Sequence, residues 1–287
     1  MPDARTQKKI CGPTFSDSLC FHFVPMNIFR LFLLAVSLSS LLPAAPFTAL
    51  QDGEKFRYRT GWGIFAHAGE VVIEAHRVKM DGRSVFRLTT QISSRGIVRG
   101  LYTFDDRGEL LIDEATGQIL LAKDEGRSGS KRLHSETVFD YERHVARHTD
   151  HARPERNREF AIPDGDPIDL ISALIQTREW KLELGQRRDA LVYFGRDVYP
   201  ITITADGLET VRGPKGQIST MRLIPRMETE EPRGVFKRGG EIKVWVSQSS
   251  PRLPVQMQLK LNLGTAMLTL IEHTVTPQTA GPAAPAP

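Results

Sequence analysis

Apolar and polar residues alternate along much of the chain between residues 54 and 273. The alternation is clearest near the C-terminus, where Val255, Met257, Leu259, Leu261 and Leu263 are separated by Gln256, Gln258, Lys260 and Asn262. A period of two buries one face of a β-strand and leaves the other face in water. Weaker copies of the pattern occur at Phe56/Tyr58, Val71/Ile73, Phe86/Leu88/Ile92, Tyr199/Ile201/Ile203, Ile242/Val244/Val246 and Ala266/Leu268/Leu270. The chain is therefore predicted to be mainly β.

Short turn signals separate these runs and indicate how the strands are connected. Asp81-Gly82 and Asp206-Gly207 lie between strand patterns, where glycine supplies the positive φ of a tight hairpin. Sequential strands joined by short turns favour an antiparallel sheet, and one-sided patterning over many strands favours a sheet that curls around a core or cavity. We expect a single, strongly curved antiparallel sheet or a half-open β-barrel.

One segment, DPIDLISALIQTREW, has helical periodicity and predicts a short helix over residues 167–178. Asp166 is placed to cap this helix, and Pro167 suits its first turn. Leu170, Ile171, Leu174 and Ile175 then form an apolar stripe. The helix is expected to act either as a plug against one side of the sheet or as a lid over an apolar cavity.

The N-terminal part of the chain has the pattern of a secretory signal. Residues 26–49 contain Arg30, an apolar run over 31–42 and then proline and small residues, which is the order found in signal peptides. Residues 1–25 precede this pattern without periodicity and are interpreted as an upstream extension ahead of the true start at Met26. Pro43 and Pro46 interrupt the apolar stretch before a spanning length, so no stable membrane span is expected after cleavage between residues 44 and 49.

The remainder is interpreted as one β domain over residues 50–274 followed by a disordered Pro/Ala tail over 275–287. The 287 residues are 40% hydrophobic and 25% charged, which excludes disorder of the whole chain. Both cysteines, Cys11 and Cys20, precede Met26, so the exported form would hold no disulfide, thiolate nucleophile or lipidated cysteine. Export places the protein in the periplasm of a Gram-negative bacterium.

The charge balance argues against a nucleic-acid partner. The chain has 38 basic and 34 acidic residues, and loss of residues 1–45 would leave 34 and 32, a net charge of +2. A field this weak does not steer nucleic acid. Between Arg127 and Arg158 eight basic residues accompany five acidic ones, an excess that suits anionic lipid headgroups or glycans but also an ordinary solvated surface.

The motifs of common catalytic sites are absent from the sequence, which contains no G-x-S-x-G, H-E-x-x-H, Walker loop or G-x-G-x-x-G. His144, His148 and His151 would share a face only in a helix, and their surroundings predict strand and loop, so a solvated loop is favoured over a metal site. Asp105 and Asp106 are neighbours, which on a strand point to opposite faces. We expect no catalytic residues, no metal and no cofactor.

Large apolar side chains are the remaining candidates for a binding site. Aromatic rings line pockets as readily as they fill cores, so both roles remain open for them. The candidate cavity-lining residues are Trp62, Phe65, Leu170, Leu174, Trp180 and Trp245.

The order of these features resembles DUF3108, an uncharacterised family of bacterial envelope proteins. The resemblance rests on GEKFRYRTGWGIFAHAGEVVIE (53–74), FDYER (139–143), DPIDLISALIQTRE (166–179), GRDVYPITITADGLETV (195–211) and the closing segment 240–272. It implies a fold similar to the half-open barrel of periplasmic lipoprotein carriers, with the helix and the concave face enclosing a chamber for acyl chains. It implies no reaction and no catalytic residues.

Two functions follow as alternatives. The first is a non-catalytic envelope protein that binds a lipid or other amphiphile in an apolar cavity. The second is an envelope structural or assembly factor that binds a protein partner through a solid β domain. An enzyme has no supporting motif in the sequence.

Overall fold

The computed structural model describes residues 47–229, 231–261 and 264–276. Within them, 3-10 turns span Pro154–Arg156 and Gly234–Gly239, and the helices are α1 (Gly96–Leu101) and α2 (Leu170–Gln176). The strands are β1 (Glu54–Trp62), β2 (Phe65–Met80), β3 (Arg83–Ser94), β4 (Phe104–Asp113), β5 (Ile119–Ser128), β6 (Lys131–Asp140), β7 (Val145–Asp150), β8 (Arg158–Ala161), β9 (Ile168–Asp169), β10 (Arg187–Phe194), β11 (Asp197–Gly213), β12 (Gly216–Arg226), β13 (Glu241–Ser247), β14 (Pro254–Leu261) and β15 (Gly264–Val275). The predicted extension 1–25, the signal segment up to residue 46 and the tail beyond residue 276 lie outside the described residues.

The fifteen described strands belong to one sheet, in which every two consecutive strands except β8 and β9 are hydrogen-bonded to each other. The first and last strands, β1 and β15, pair antiparallel in the middle of the sheet, so that β8 and β9 become its two edges. In the described part of the chain, only the two-residue strand β9 pairs in parallel, with β10. The prediction of a mainly β, antiparallel sheet is confirmed.

The sheet curls until its two edges approach each other, but it is not closed by backbone hydrogen bonds. Side chains bridge the gap instead. The ring of Tyr193 on β10 packs edge-on against Phe139 on β6, with 5.1 Å between centroids. Arg158 on β8 lies 3.6 Å from the carboxylate of Asp197 on β11. The result is a half-open barrel whose seam consists of aromatic and ionic contacts.

The alternation predicted from the sequence defines the core. Phe56, Ile73 and Leu88 are among the fully buried side chains, and Met257 and Leu268 on the C-terminal strands are buried. Leu261, which the alternation places on the same face as Met257, is 36% exposed at the end of β14. The segment Phe47–Leu50 also joins the core, because the Phe47 ring packs against Phe86 at a centroid distance of 6.1 Å. The core therefore begins within the segment that the sequence assigned to the signal.

The two predicted turns have different outcomes. Asp81 and Gly82 form the tight turn between β2 and β3, both with positive φ. Asp206 and Gly207 do not form a turn but lie inside β11, where the register with β12 shifts between Ala205 and Gly207. The prediction of a hairpin at Asp206-Gly207 is wrong, because a bulge within a long strand has the same Asp-Gly signal.

Candidate functional site

Helix α2 lies against the concave face of the sheet, and a capping box fixes where it begins. The carboxylate of Asp169 accepts hydrogen bonds from the backbone N–H of Ser172 and Ile171, while the Ser172 hydroxyl bonds to the Asp169 backbone. These contacts satisfy N–H groups that the first turn leaves free. The predicted helix 167–178 is thus shorter, and its cap is Asp169 rather than Asp166, because residues 168–169 pair with β10 before the helix starts.

Beneath α2, on strands β10 to β14, the interior is filled. A residual cavity of about 50 Å³ remains between the helix and the sheet, bounded by Leu170, Leu174 and Trp180 together with Ile201 and Val244. An engineered protein cavity of about 150 Å³ is known to hold benzene. This space, called the α2 cavity below, is too small for an acyl chain, so the helix acts here as a plug. Between α2 and the strands below it, the described residues leave no chamber of the expected size.

The three other predicted pocket residues lie elsewhere. Trp62 and Phe65 flank the turn between β1 and β2, half-buried, and line neither the α2 cavity nor the cleft described next. Trp245 is buried on the opposite face of β13 from Val244, because neighbours on a strand alternate. Its indole Nε1 donates to Oε2 of Glu209 at 2.7 Å. Their aromatic character alone did not show that Trp62, Phe65 and Trp245 lie outside the α2 cavity.

A larger opening lies on the other half of the concave face. Strands β3 to β7 form the wall of a cleft of about 460 Å³, the β3–β7 cleft, with the start of α2 and the β10–β11 turn on its far side. Its floor is apolar and its upper wall polar. The floor consists of Leu88, Leu110 and Ala122, which lie side by side on β3, β4 and β5. Thr90, Asp124 and Ser135 form the next level of the wall, and Ile92 and Asp106 lie opposite each other beyond them. The rest of the lining includes His148, Tyr193 and, from the start of α2, Leu170 and Ile171.

Three of the carboxylates that line this cleft have a raised pKa. Burial raises the pKa of Asp106 and of Asp169. Burial, followed by the negative charges of Asp106 and Asp169, raises the pKa of Asp124 to about 6. Water reaches Asp124 through the mouth, yet protein atoms surround it on most sides. One oxygen of Asp106, Oδ1, is inaccessible to water and has no hydrogen-bond partner among the described residues.

A chain of hydrogen bonds between uncharged groups lies along one side of the cleft. The Tyr193 hydroxyl donates to the carbonyl of Gly195 at 3.0 Å, and Oγ1 of Thr137 lies 2.7 Å from that hydroxyl and 2.9 Å from Nδ1 of His148. Since the Tyr193 proton goes to Gly195, Thr137 donates to Tyr193 and accepts from His148. Burial, followed by the charge of Arg196, lowers the pKa of His148, and burial raises the pKa of Tyr193. These groups therefore stay uncharged at neutral pH.

Arginines occupy the rim of the cleft. Arg153 pairs with Asp150 at 3.0 Å, and Nη1 of Arg196 donates to the carbonyl of Arg156 at 3.3 Å. The guanidinium groups thus lie at the entrance of the cleft, and the carboxylates lie farther inside. A bound molecule would meet guanidinium groups first, carboxylates deeper and methyl groups at the floor.

A buried ionic cluster anchors the other end of α2. Arg178 lies 2.6 Å from Oε1 of Glu54, and Nε2 of His273 lies 2.7 Å from the same oxygen. Burial alone would raise the pKa of Glu54, but the bonds from His273 and Arg178 and the charge of Arg178 outweigh it and hold the pKa below its usual value. Arg178 also donates to the carbonyl of Ala49. The cluster ties the plug to β1, β15 and the N-terminal segment.

The three histidines singled out in the sequence do not converge. His148 is buried on β7, while His144 lies in the preceding turn with positive φ and His151 is exposed after the strand. The expectation of a solvated loop is wrong for His148, because β7 turns its side chain inward. In the part of the chain that the structure describes, no group of three His, Cys, Asp or Glu residues is arranged to hold a metal ion. Nor do the described helices include one with the length and apolarity needed to cross a membrane.

Asp106, Asp124 and Asp169 were missed as cleft residues by sequence reasoning. The alternation did contain a signal. Asp105 and Asp106 point to opposite faces, as expected, since Asp105 pairs with Arg99 on the outside while Asp106 faces the cleft. A charged residue in an inward register position was the available clue.

Three kinds of comparison relate this chain to known proteins. The search of curated proteins found no match. The chain is similar to a solved beta-barrel-like protein of the domain of unknown function DUF1849 from Brucella abortus, with 6% sequence identity and a TM-score of 0.49, over 82% of this chain and 99% of that chain. The family model described as protein of unknown function (DUF3108) matches residues 57–271. Because this match spans most of the chain and nearly all of the half-open barrel, the protein belongs to the DUF3108 family.

Proposed function

We propose that this protein is an exported, non-catalytic protein of the bacterial cell envelope that binds one lipid or other amphiphile in the β3–β7 cleft. The observation that carries the proposal is the cleft itself. At about 460 Å³ it falls in the range of small-molecule sites, and it combines an apolar floor with a polar wall. An amphiphile has the same division between an apolar and a polar part.

The distribution of apolar and charged groups indicates how such a ligand would lie. Leu88, Leu110 and Ala122 at the floor suit a short apolar part, in contact with Ile171 from the helix. The polar end would lie between Asp124 and Arg196, where both hydrogen-bond acceptors and donors are available. A long acyl chain exceeds this space, so we expect either a short-chain ligand or one whose chain leaves through the mouth.

The groups around the cleft support a binding role rather than a reaction. Thr137, whose hydroxyl touches His148, is buried under Tyr193 and out of reach of a ligand. The raised pKa of Tyr193 keeps the phenol protonated at neutral pH. None of these hydroxyls is therefore an activated nucleophile.

Export is part of the proposal. The packing of the first described residues narrows the range of positions at which the signal peptide could be cleaved. Phe47 contacts Phe86, and its backbone N–H donates to the carbonyl of Glu114 at 2.9 Å. Cleavage after Phe47 would remove this contact. We therefore propose cleavage before Phe47, and N-terminal sequencing of the exported protein tests this.

Native mass spectrometry with organic extraction tests ligand binding. The protein is expressed with its own N-terminus, recovered from the periplasm without detergent, and compared with Ala122→Phe, which places a ring over the floor of the cleft. Val138→Phe is the matched control, because Val138 is 49% exposed on the other face of β6. We expect a co-purified amphiphile at about one per protein in the wild type and the control, and its loss in Ala122→Phe.

The second candidate is an envelope assembly factor that binds a protein partner. The small size of the α2 cavity favours it, and so does the short edge strand β8, most of whose residues are exposed, since edge strands pair with other chains. A wild-type protein that carries no ligand, and that takes none up from envelope lipids, would favour this candidate over the first.

A further inference from the structure

One end of the sheet exposes large apolar side chains. The β1–β2 turn, helix α1 and the β5–β6 turn all lie at this end, because successive antiparallel connections alternate between the two ends. Ile64 in the first turn is 92% exposed, and Ile97 and Leu101 on α1 are 71% and 75% exposed. We call this surface, formed by residues 63–64, 96–102 and 127–132, the α1 end.

Helix α1 has no buried residue to account for its apolar sequence, GIVRGL. Ile97 and Leu101 are four positions apart and lie on one helix face, which points to solvent. The helix is nevertheless held in place at both ends. The N–H of Arg95 donates to the carbonyl of Ala68, and the Tyr102 hydroxyl lies 2.7 Å from Oγ of Ser128. A fixed helix that presents apolar side chains to water is typical of a contact surface.

Three basic residues that form no ion pair within 4 Å among the described residues lie beside this apolar face. Arg127 and Arg132 are directly opposite each other on β5 and β6, and Lys131 begins β6. All three are exposed, and none has an acidic group within 4 Å among the described residues. Arg127 also lies opposite Asp105 on β4, and its charge is one of the smaller causes that lower the pKa of Asp105, after the hydrogen bond from Arg99. Like charges directly opposite on neighbouring strands are unfavourable. An anionic surface would relieve this repulsion, whereas Arg95 and Arg99 on the same end are already matched by Glu70 and Asp105.

We propose that the α1 end docks onto the surface of an anionic phospholipid bilayer. Isolated isoleucine, leucine and tyrosine side chains at turn tips can enter the headgroup region, while arginine and lysine beside them meet lipid phosphates. The docking goes beyond ligand binding and does not depend on it. The β3–β7 cleft has its arginine rim at the same end, so a docked protein would turn the cleft toward the bilayer.

Vesicle flotation tests the proposal with the full-length protein and with vesicles of phosphatidylcholine alone or mixed with phosphatidylglycerol. We expect binding to the mixed vesicles that weakens with salt. The combined change Arg127→Gln, Lys131→Gln and Arg132→Gln should lower the partition coefficient on the order of 100-fold, at about fivefold for each charge. Ile64→Ser, Ile97→Ser and Leu101→Ser together should lower it by at least about tenfold.

A matched control removes equally exposed apolar side chains outside the α1 end. Leu184, Leu208 and Val138 are 60%, 61% and 49% exposed, and their combined replacement by serine should leave binding unchanged. Equal binding by the control and the α1-end variants would assign vesicle binding to another part of the chain and overturn the proposal, as would the absence of wild-type binding.

A site-specific probe separates docking through the α1 end from attachment through the N-terminal segment. In a Cys11→Ser, Cys20→Ser background, Leu101→Cys and Leu184→Cys are each labelled with an environment-sensitive dye. We expect a blue shift with anionic vesicles for the label at 101 and none at 184. A shift at 184 without one at 101 would contradict the proposed orientation.

Discussion

The two halves of the concave face follow one backbone plan but enclose different interiors. On β10 to β14, large apolar residues point inward, among them Ile201, Leu223 and Met257, and α2 leaves a cavity of only about 50 Å³. On β3 to β7, small or charged residues such as Gly108 and Asp124 take inward positions, and a cleft of about 460 Å³ stays open. The side chains at inward positions, rather than the path of the strands, decide which half is filled.

The two halves also differ in what they contribute: the filled half stabilises the fold, and the open half is the proposed binding site. The filled half contains the plug and its anchor, whose contacts are buried and directional. The open half keeps carboxylates in a setting that raises their pKa, which is unfavourable for the folded state at neutral pH. Changes in the filled half should therefore reduce stability, and changes in the open half should alter binding while leaving stability nearly the same.

The largest effect is expected from the anchor of the plug. Arg178→Met leaves the carboxylate of Glu54 buried with one partner fewer, and we expect the free energy of unfolding to fall by about 3–5 kcal/mol. Urea unfolding measures this. The control Arg57→Met removes an exposed arginine that pairs with Glu70 and Glu272, and it should change little. Equal losses in both variants would show that the buried cluster is no anchor.

Two neighbouring positions of α2 compare the halves directly. Leu174 is 3% exposed at the α2 cavity, so Leu174→Ala should cost about 2–5 kcal/mol of unfolding free energy. Ile171 is half-buried and faces the β3–β7 cleft, so Ile171→Ala should cost about 1 kcal/mol. Thermal and urea unfolding of both variants measure the difference. A larger cost at Ile171 would reverse the assignment of filled and open halves.

The cap of α2 should have a smaller effect. Asp169→Ala removes both side-chain bonds to the first turn and should cost about 1 kcal/mol, whereas Asp169→Asn retains an acceptor and should cost less. Asp166→Ala is the control, since Asp166 is exposed and, among the described residues, its side chain accepts a hydrogen bond only from the Gln118 amide. If the Asp166 variant proved the less stable one, the helix would begin where the sequence alone suggests.

The smallest effect concerns pH and the carboxylates of the cleft. The pKa of Asp124 is raised to about 6, so the folded protein binds this proton more tightly than the unfolded chain does. Its contribution to stability therefore falls as the pH rises from about 4 to about 6. Asp124→Asn should remove this slope and stabilise the protein at pH 7.5 by only a few tenths of a kcal/mol, because water screens the charge.

Asp105→Asn provides a control, because it should change stability at pH 7.5 in the direction opposite to Asp124→Asn. Arg99 lowers the pKa of Asp105 through a hydrogen bond, so this variant should be less stable than the wild type at pH 7.5 and equal to it at low pH. Urea midpoints measured across this pH range test both variants. The same direction of change in both would contradict the difference in their surroundings.

The strands could be predicted from the sequence because period-two patterning directly reports which face is buried. Val255, Met257 and Leu268 were assigned inward from the pattern, and all three are buried. The cleft could not be predicted in this way. Asp106 and Asp124 are acids in strands, and only the register between β4 and β5 and the placement of α2 bring them together.

The aromatic candidates illustrate the same limit. Trp180 borders the α2 cavity, while Trp245 is equally buried on the other face of the sheet. Size and hydrophobicity are the same for both residues. The position of Trp180 depends on where α2 ends, and that of Trp245 on the boundaries of β13. Periodicity locates such boundaries less well than it detects the elements themselves.

Photo-crosslinking tests the contrast between the open and filled halves most directly. A short amphiphile carrying a diazirine on its apolar part is irradiated with the periplasmic protein, and the labelled peptides are mapped with and without unlabelled competitor. We predict competed labelling of residues 88–92, 108–110 and 122–124, which line the β3–β7 cleft. Competed labelling confined to residues 201–203, 223–225 and 242–244, around the α2 cavity, would contradict the account.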